Sequence, residues 1–384
     1  MRACRSARDE RNRLNRAPVL PPLYARWMDD LLRAPIEPET HATCADCAMC
    51  KPADSPADPD AYYFNPRVKC CTFLPYLPSF LVGRILLDPD PALTRGRMSV
   101  EARIAAGVGL TPLGLGRSAA QDVHDPGSGF GRDEGLLCPH YVQEGGVCGI
   151  WRHREAACTT FFCKHVRGAV GAAFWDALHH LLRAVEQALA WNCLEALDLG
   201  PAAVSFLLDA AGRSLDAVVA RRPDGTFPPE GRRAIWGDWA GRERAFYEAA
   251  AGLVEAMSWG EILERGGPQV RLHASLVRAA HARLQVPAVA AGPLRLRPLV
   301  VAALGSASVR VTTYSASDPI IIPRDLFDAL PRFDGRPAAD ALRLIEEEGG
   351  LQIEPAVVRR LLDFEVLVPS RDSTRDDPGP IAPA

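Results

Sequence analysis

Nine of the chain's eleven cysteines lie between residues 44 and 163, and this concentration constrains the fold more than any other feature of the sequence. They are Cys44, Cys47, Cys50, Cys70, Cys71, Cys138, Cys148, Cys158 and Cys163. Two-residue gaps, as between the first three, let one turn of the chain present successive thiolates to a single metal centre. The adjacent pair cannot readily form a disulfide with each other, but either member can reach such a centre. The pattern therefore predicts a metal or iron–sulfur site rather than a disulfide framework.

The overall composition is that of an ordinary globular protein, with 48% hydrophobic and 24% charged residues. A length of 384 residues allows two or three domains with cores of their own. The net charge of −3 gives no reason to expect nucleic acid or an anionic membrane as a partner. No apolar stretch reaches about 18 residues, so the sequence predicts no transmembrane helix.

The N-terminal arm carries arginine at positions 2, 5, 8, 11, 13 and 16. No apolar segment follows these arginines, so the arm does not resemble a secretory signal, and we expect a solvated tail. The protein is therefore expected to stay in the cytoplasm, where a reducing environment keeps thiols free. This expectation strengthens the prediction of a metal site.

Each of the three lysines in the chain is adjacent to a cysteine. Lys51 follows Cys50, Lys69 precedes Cys70, and Lys164 follows Cys163. A cluster held by four thiolates carries net negative charge, which a nearby ammonium would stabilise. The alternative is that these side chains, although neighbours in sequence, point away from the ligands.

The sequence divides into five regions that together predict a helix-rich α+β fold. They are an N-terminal arm with a short helix (1–40), a cysteine-cluster metal-binding domain (41–167), a helical region (168–292), a C-terminal module (293–370) and a disordered tail (371–384). Turn-forming residues interrupt the cysteine-rich region, which is expected to be irregular and to rely on its metal for part of its stability.

The helical region is marked by apolar residues at three- and four-residue spacing between Ala173 and Leu197, which predict an amphipathic helix. Further helices are predicted at about 201–220, 238–258 and 269–285. Cys193 lies near the end of the first helix, far from the other cysteines, and is predicted to be a small core residue.

The C-terminal module combines strands with helices. Strands are predicted at Leu299–Ala303, Val309–Thr313 and 320–322, helices at about 337–348 and 355–363, and a closing strand at Phe364–Val368. This order resembles a winged-helix or PqqD-like module, a type that binds peptides or partner proteins in modification systems. A protein or peptide substrate is therefore a possible partner, and a capping α+β subdomain is the alternative interpretation.

The number of thiols allows one or two metal sites. The N-terminal group offers Cys44, Cys47 and Cys50, with Cys70 or Cys71 as a fourth ligand. The C-terminal group offers four more, namely Cys138, Cys148, Cys158 and Cys163. A structural zinc ion and a four-iron cluster each take four such ligands, so two sites or one shared site are possible. Nine cysteines favour an iron–sulfur cluster of the 4Fe-4S type, and zinc is the alternative.

Histidines are frequent in the same region. His140 and His165 each follow a cysteine by two residues, so either could bind the metal, donate a hydrogen bond to a thiolate, or lie at the surface. We expect His41, His124 and His153 to be surface residues.

The second half of the cysteine run resembles a known family. Its segments are Leu137-Cys138-Pro139-His140, then Gly146-Val147-Cys148-Gly149-Ile150-Trp151-Arg152, then Ala157-Cys158-Thr159-Thr160-Phe161-Phe162-Cys163-Lys164. They resemble the YkgJ-like family, a zinc- or iron-chelating domain named for a CxxCxxCC motif, and Arg152 and Arg154 suit its arginine position. The first half departs from that motif, because the Cys70-Cys71 pair follows the triplet only after twenty residues.

The resemblance and the thiol count together give three functional predictions. The first is a metal-binding protein with an iron–sulfur cluster and a redox or protein-modifying role. The second is a zinc-stapled structural or interaction protein without catalysis. The third follows from the resemblance alone, since some family members are similar to flagellin lysine N-methylases, and predicts a protein methylase-like enzyme. The sequence identifies no catalytic residue.

Overall fold

A computed structural model describes residues 20–39, 47–51, 63–116, 129–210, 226–285 and 292–370 of the chain. Within these ranges the protein is a mixture of helix and strand in which helix predominates, so the predicted helix-rich α+β class is confirmed. No helix in the described ranges is both long and apolar enough to cross a membrane.

The described residues form two compact units. The larger contains those within 1–162 and 175–281, and the smaller contains those within 163–174 and 282–384. The cysteine-rich region up to residue 162 and most of the helical region thus belong to one unit, whereas the sequence divides them into two regions.

The helices that begin before residue 286 are α1 (Pro22–Leu31), α2 (Ser79–Leu87), α3 (Thr94–Ala106), α4 (Ala156–Thr160), α5 (Gly168–Ala196), α6 (Pro201–Ala210), α7 (Pro229–Trp236), α8 (Glu243–Glu255), α9 (Trp259–Arg265) and α10 (Gly267–Leu284). The predicted helix at 173–197 corresponds to α5, and the predictions at 238–258 and 269–285 correspond to α8 and α10. The prediction at 201–220 is confirmed as far as α6 extends, and its last residues lie outside the described part of the chain. Single turns of 3-10 helix occur at Pro91–Leu93, Glu134–Leu136, Trp151–His153 and Gly237–Trp239.

The core of the larger unit forms where α2 packs against α8. Val82 and Ile85 of α2 and Phe246 and Tyr247 of α8 are fully buried in one apolar cluster. The two helices approach closely at Gly83, since a Cβ atom there would lie 1.9 Å from the carbonyl oxygen of Tyr247. Only glycine fits at this crossing.

The strands in the described residues of the cysteine-rich region are two residues long. A three-stranded antiparallel sheet has β3 (Gly114–Leu115) between β1 (Leu77–Pro78) and β2 (Leu110–Thr111), and a hairpin joins β4 (Tyr141–Val142) to β5 (Val147–Cys148). Turns, a hairpin and a capped helix position the described cysteines, and with α2 and α3 this region contains more regular structure than the sequence predicts.

The smaller unit has two antiparallel three-stranded sheets. One has β6 (Pro293–Leu296) between β10 (Asp334–Pro337) and β11 (Leu367–Pro369), and the other has the order β7 (Val300–Leu304), β8 (Ser308–Thr312), β9 (Ile320–Pro323). The helices of this part are α11 (Arg324–Ala329), α12 (Ala338–Gly349) and α13 (Pro355–Asp363), with a 3-10 turn at Leu330–Arg332. The three predicted strands, the two predicted helices and the end of the predicted closing strand are confirmed. The winged-helix-like architecture stays a prediction.

A buried ion pair lies within this smaller unit. The Nε and Nη2 atoms of Arg167 donate to the two carboxylate oxygens of Asp363 at 2.6 and 2.9 Å. The Nη1 atom of the same guanidinium donates to the carbonyl oxygen of Leu284 at 2.8 Å. Both side chains are about nine-tenths buried, so the pair is held in a fixed bidentate geometry.

Candidate metal centre

The N-terminal cysteines of the described chain lie in two tight turns. The N–H of Cys50 donates to the carbonyl oxygen of Cys47 at 3.0 Å, and the two thiols are hydrogen-bonded to each other. The N–H of Cys71 donates to the carbonyl oxygen of Val68 at 3.0 Å, within the second turn. The thiol of Cys70 in this turn is hydrogen-bonded to that of Cys71 and interacts electrostatically with that of Cys50. Cys44 lies outside the described residues.

The C-terminal cysteines are positioned by a hairpin and a short helix. The N–H of Tyr141 donates to the carbonyl oxygen of Cys138 at 3.0 Å, and Tyr141 pairs with Cys148 across the β4–β5 hairpin. Cys158 lies in α4, where its N–H donates to the Glu155 carboxylate at 2.7 Å. The hairpin and the capped helix thus hold these three cysteines in defined positions.

The two groups meet at Cys70 and Cys138. The thiol of Cys138 interacts electrostatically with the thiols of Cys70 and Cys148, and Cys158 interacts with those of Cys148 and Cys138. Pairwise interactions thus link seven cysteines that the sequence singles out, and we call these seven the thiol cluster: Cys47, Cys50, Cys70, Cys71, Cys138, Cys148 and Cys158. None of the seven forms a disulfide. Cys163, which also forms none, belongs to the smaller unit.

Burial opposes ionisation of three of these thiols. It raises the pKa of Cys138 to about 12, with a further contribution from the nearby Cys148 thiol. It also raises the pKa of Cys50 to about 11, together with Cys47, and holds that of Cys158 well above its ordinary value, together with Glu155. A metal that bound here would displace thiol protons, so its affinity would increase with pH.

Cys70 differs from the other thiols in the cluster. The hydrogen bond with Cys71 lowers the pKa of Cys70 to about 7, although burial acts in the opposite direction. The positive charges of Lys69 and Arg154 lower it further. Of the adjacent pair, Cys70 is the member whose thiol interacts with thiols of both groups.

Two histidines that the sequence offered as candidates are engaged elsewhere. The Nδ1 atom of His140 lies 2.7 Å from Ser99 Oγ, and its Nε2 atom lies 3.4 Å from Arg103 Nη1. Because arginine can only donate, Nε2 accepts and the ring proton is on Nδ1. Burial and the charge of Arg103 lower the pKa of His140 to about 3, so its ring is neutral. His165 lies in the smaller unit, with its Nδ1 atom 3.2 Å from the hydroxyl of Tyr314.

The predicted surface position of His153 is wrong. This side chain is 4% exposed, and its Nε2 atom lies 2.8 Å from Asp88 Oδ2. The ring joins the 3-10 turn at Trp151–His153 to the end of α2, a structural role for which the sequence gives no signal. His41 and His124 lie outside the described residues.

Two buried carboxylates beside the cluster escaped the sequence analysis. Glu155 accepts from the N–H groups of Ala157 and Cys158 at 2.6 and 2.7 Å and so caps the start of α4. Glu186 of α5 accepts at one oxygen from the N–H of Ala156, at 2.7 Å, and from the hydroxyl of Tyr24. A glutamate directly before the alanines of α4 is the only signal that could have indicated the cap, and it is weak because glutamate is not a preferred capping residue.

The donor chemistry of the cluster fits a thiophilic metal. In the described part of the chain, no three Cys, His, Asp or Glu side chains have an arrangement that would already hold a metal ion. The seven converging thiols are nevertheless the ligand type that zinc and iron–sulfur clusters use.

Comparison with family models, curated proteins and solved structures gives no match to this chain.

Proposed function

We propose that this protein binds metal through its thiol cluster and carries an iron–sulfur cluster with a redox or protein-modifying role. The observation that supports the proposal is the convergence of cysteines from four separate segments on Cys70 and Cys138. Thiols that cluster without forming disulfides fit a reducing compartment such as the cytoplasm. A bound iron–sulfur cluster would supply one-electron chemistry.

Six of the clustered thiols are the proposed ligands: Cys47, Cys50, Cys70, Cys138, Cys148 and Cys158. Cys44 and Cys163, which the sequence also predicts as ligands, stay predictions. Cys70 is preferred to Cys71 because its thiol interacts with both groups, whereas Cys71 supplies a hydrogen bond to Cys70 and a carbonyl oxygen to Cys138. The resemblance to the YkgJ-like family is consistent with this assignment.

Anaerobic purification followed by iron, sulfide and zinc analysis tests the proposal. We expect stoichiometric iron and acid-labile sulfide, together with broad visible absorbance that bleaches on reduction. Colourless protein with stoichiometric zinc would instead support the zinc-stapled alternative, which the low content of regular structure around the thiols favours. The methylase prediction requires S-adenosylmethionine binding by the metal-loaded protein, which calorimetry can measure.

We also propose that the C-terminal module contacts an extended peptide segment of its protein substrate. Strand β7 lies at the edge of its sheet, and its Val300 and Leu304 side chains are 68% and 65% exposed. An apolar edge strand without charged side chains can add a further strand from a partner. Peptide selection on the full chain, repeated with Leu304→Lys, tests this proposal, and equal binding by the variant would contradict it.

A further inference from the structure

The end of α5 and the start of α6 line a pocket in the larger unit. The N–H of Asp198 donates to the carbonyl oxygen of Glu195, and the N–H of Leu199 donates to that of Leu194, both at 3.0 Å. This pair of bonds is the Schellman pattern of helix termination, in which Asp198 takes the left-handed position with a φ of 48°. Gly200, with a φ of 89°, completes the turn into α6.

The pocket has a volume of about 420 Å³, which is within the range of sites for small organic molecules. Much of its lining is apolar. Leu194 and Leu199 are each 1% exposed, and Trp191 and Val204 are partly buried beside them. The pocket therefore suits the apolar part of a ligand, and it offers an aromatic ring as well as aliphatic side chains.

Two carboxylates line the same pocket. Glu195 and Asp198 are both exposed, and within the described ranges neither side chain forms an ion pair or a hydrogen bond. Glu195 lies one helical turn from Trp191, on the same face of α5. An aromatic ring beside carboxylates can bind an organic cation, because the ring contributes a cation–π contact and the carboxylates contribute opposite charge.

The charge around the pocket is negative on balance. The two carboxylates oppose one guanidinium, that of Arg265, whose Nη1 atom donates to Oδ1 of Asn192 in the pocket lining at 3.3 Å. The end of α5 and the start of α6 each contribute about half a unit of charge, of opposite sign, so these contributions nearly cancel. The side-chain carboxylates therefore decide which sign of charge the pocket favours in a ligand.

We propose that this pocket binds a protonated amine carried on a short apolar chain. The chain would lie against Trp191, Leu194 and Leu199, and the ammonium would meet the carboxylates of Glu195 and Asp198. The amine is either a free small molecule or the lysine side chain of a partner protein, since both present the same group. None of the residues of the thiol cluster lines the pocket, so the proposal does not depend on metal binding.

Calorimetry on the full chain, with hexylamine and its neutral analogue hexanol, separates charge from apolar contact. We expect hexylamine to bind with a Kd of about 1 mM or tighter, and hexanol to bind about tenfold more weakly or worse. Nα-acetyl-lysine N-methylamide, compared with its norleucine counterpart, distinguishes the two sources of the amine. Blocked lysine that binds as tightly as hexylamine indicates a protein side chain, whereas weaker binding indicates a free amine.

Substitutions test whether the amine binds in this pocket. Glu195→Gln and Asp198→Asn each remove one charge at nearly constant size, and asparagine tolerates the left-handed conformation of residue 198. Trp191→Leu removes the aromatic ring, whereas Trp191→Phe keeps one. Asp209→Asn is the matched control, because Asp209 is an exposed acid of α6 that does not line the pocket.

We expect hexylamine to bind about threefold more weakly or worse when either carboxylate or the aromatic ring is removed. Trp191→Phe and Asp209→Asn should stay within about 1.5-fold of wild type. Equal affinity of wild type for hexylamine and hexanol would overturn the proposal, and so would the absence of hexylamine binding. An equal loss in Asp209→Asn would show general attraction to an acidic surface and would also overturn it.

Circular dichroism and reversible urea unfolding identify a variant that has not folded. Because Glu195→Gln and Asp198→Asn each remove one charge from the same pocket, either of them tests the proposal if the other fails to fold. Unchanged hexylamine affinity in a folded charge-removing variant would show that the amine binds elsewhere on the chain.

Discussion

The main-chain N–H of Cys138 donates a hydrogen bond of 2.7 Å to the carbonyl oxygen of Cys71. This bond joins the two groups of cysteines, which are far apart in the sequence. Because it involves the backbone, it does not depend on the conformation of either thiol. The bond therefore holds the turn of Cys70 and Cys71 against the segment that carries Cys138.

Loss of a cysteine from the C-terminal group should release metal. On the proposed function, we expect Cys148→Ser and Cys158→Ser each to lose most of the bound metal and several kcal/mol of stability, because metal bound by these thiols would contribute to folding. The matched control is Cys193→Ala, whose thiol is fully buried among α5 and α8, with Sγ 4.0 Å from the carbonyl oxygen of Ala250. Metal content by mass spectrometry checks the prediction, and metal loss from the control would show that the ligand set is drawn wrongly.

The regular elements of this protein were largely predictable, whereas the geometry of the site was not. The amphipathic pattern of α5 and the alternation around Val309 and Val311 identify the helix and strand, since each element buries one face. Helix α2 was missed because nearly all of its residues are buried, so it has no polar face and no clear period.

The spacing of the cysteines in the sequence predicted which of them belong to the thiol cluster. It did not predict that the distant segments carrying them approach each other. Two-residue gaps predict that Cys47 and Cys50 lie together because this is a local property of one turn. The approach of Cys70 to Cys138 depends on a hydrogen bond between distant segments, which no short-range pattern encodes. The same holds for Arg154 and Glu186, whose burial is decided by tertiary packing.

The buried carboxyl of Glu186 should make stability depend on pH. Burial, and then the charge of Glu155, hold the pKa of Glu186 well above its ordinary value of 4.5, so the folded protein binds a proton more tightly than the unfolded chain. Stability should therefore be highest below the unfolded pKa and should decrease as pH rises through the folded pKa. Each unit by which folding raises the pKa of the carboxyl corresponds to about 1.4 kcal/mol of the free energy of unfolding.

Glu186→Gln removes this titration and keeps an oxygen that can accept from the N–H of Ala156 and the hydroxyl of Tyr24. We expect the free energy of unfolding, measured with urea at a series of pH values above 4.5, to decrease less with rising pH in the variant than in wild type. A residual decrease of the same sign should remain, because burial also raises the pKa of Glu155. The exposed Glu264→Gln serves as control, and an unchanged slope in Glu186→Gln would contradict the assignment of a raised pKa.

The buried ion pair of the smaller unit gives a third prediction. Asp363→Asn should cost about 3–5 kcal/mol, because it leaves the guanidinium of Arg167 buried without its carboxylate. In the same unit, Arg343 and Glu347 form an exposed pair at 3.1 Å, with side chains 66% and 57% exposed. Glu347→Gln should therefore cost less than about 1 kcal/mol. Urea unfolding of the two variants compares them, and equal costs would show that Asp363 is not structurally required.

Two glycines on the facing helices α2 and α8 should respond to alanine in opposite directions. At Gly83 an added Cβ would lie 1.9 Å from the carbonyl oxygen of Tyr247 and 2.8 Å from the Cβ of Ala251, so the helices would have to separate. At Gly252 no atom lies within 4 Å of an added Cβ, and the residue is within α8. Gly83→Ala should lower the free energy of unfolding by about 3 kcal/mol or more, since it overpacks a backbone contact.

Gly252→Ala should raise the free energy of unfolding by up to about 1 kcal/mol, because alanine restricts the unfolded chain and favours the helical conformation. Thermal and urea unfolding of the two variants measure the difference directly. Because both substitutions add one methyl group, their opposite signs isolate the effect of space at the helix crossing. A destabilised Gly252→Ala would mean that residue 252 does not face open space, and a neutral Gly83→Ala would mean that α2 and α8 do not pack as closely as described. The core that supports the cysteine-bearing turns would then have a different arrangement.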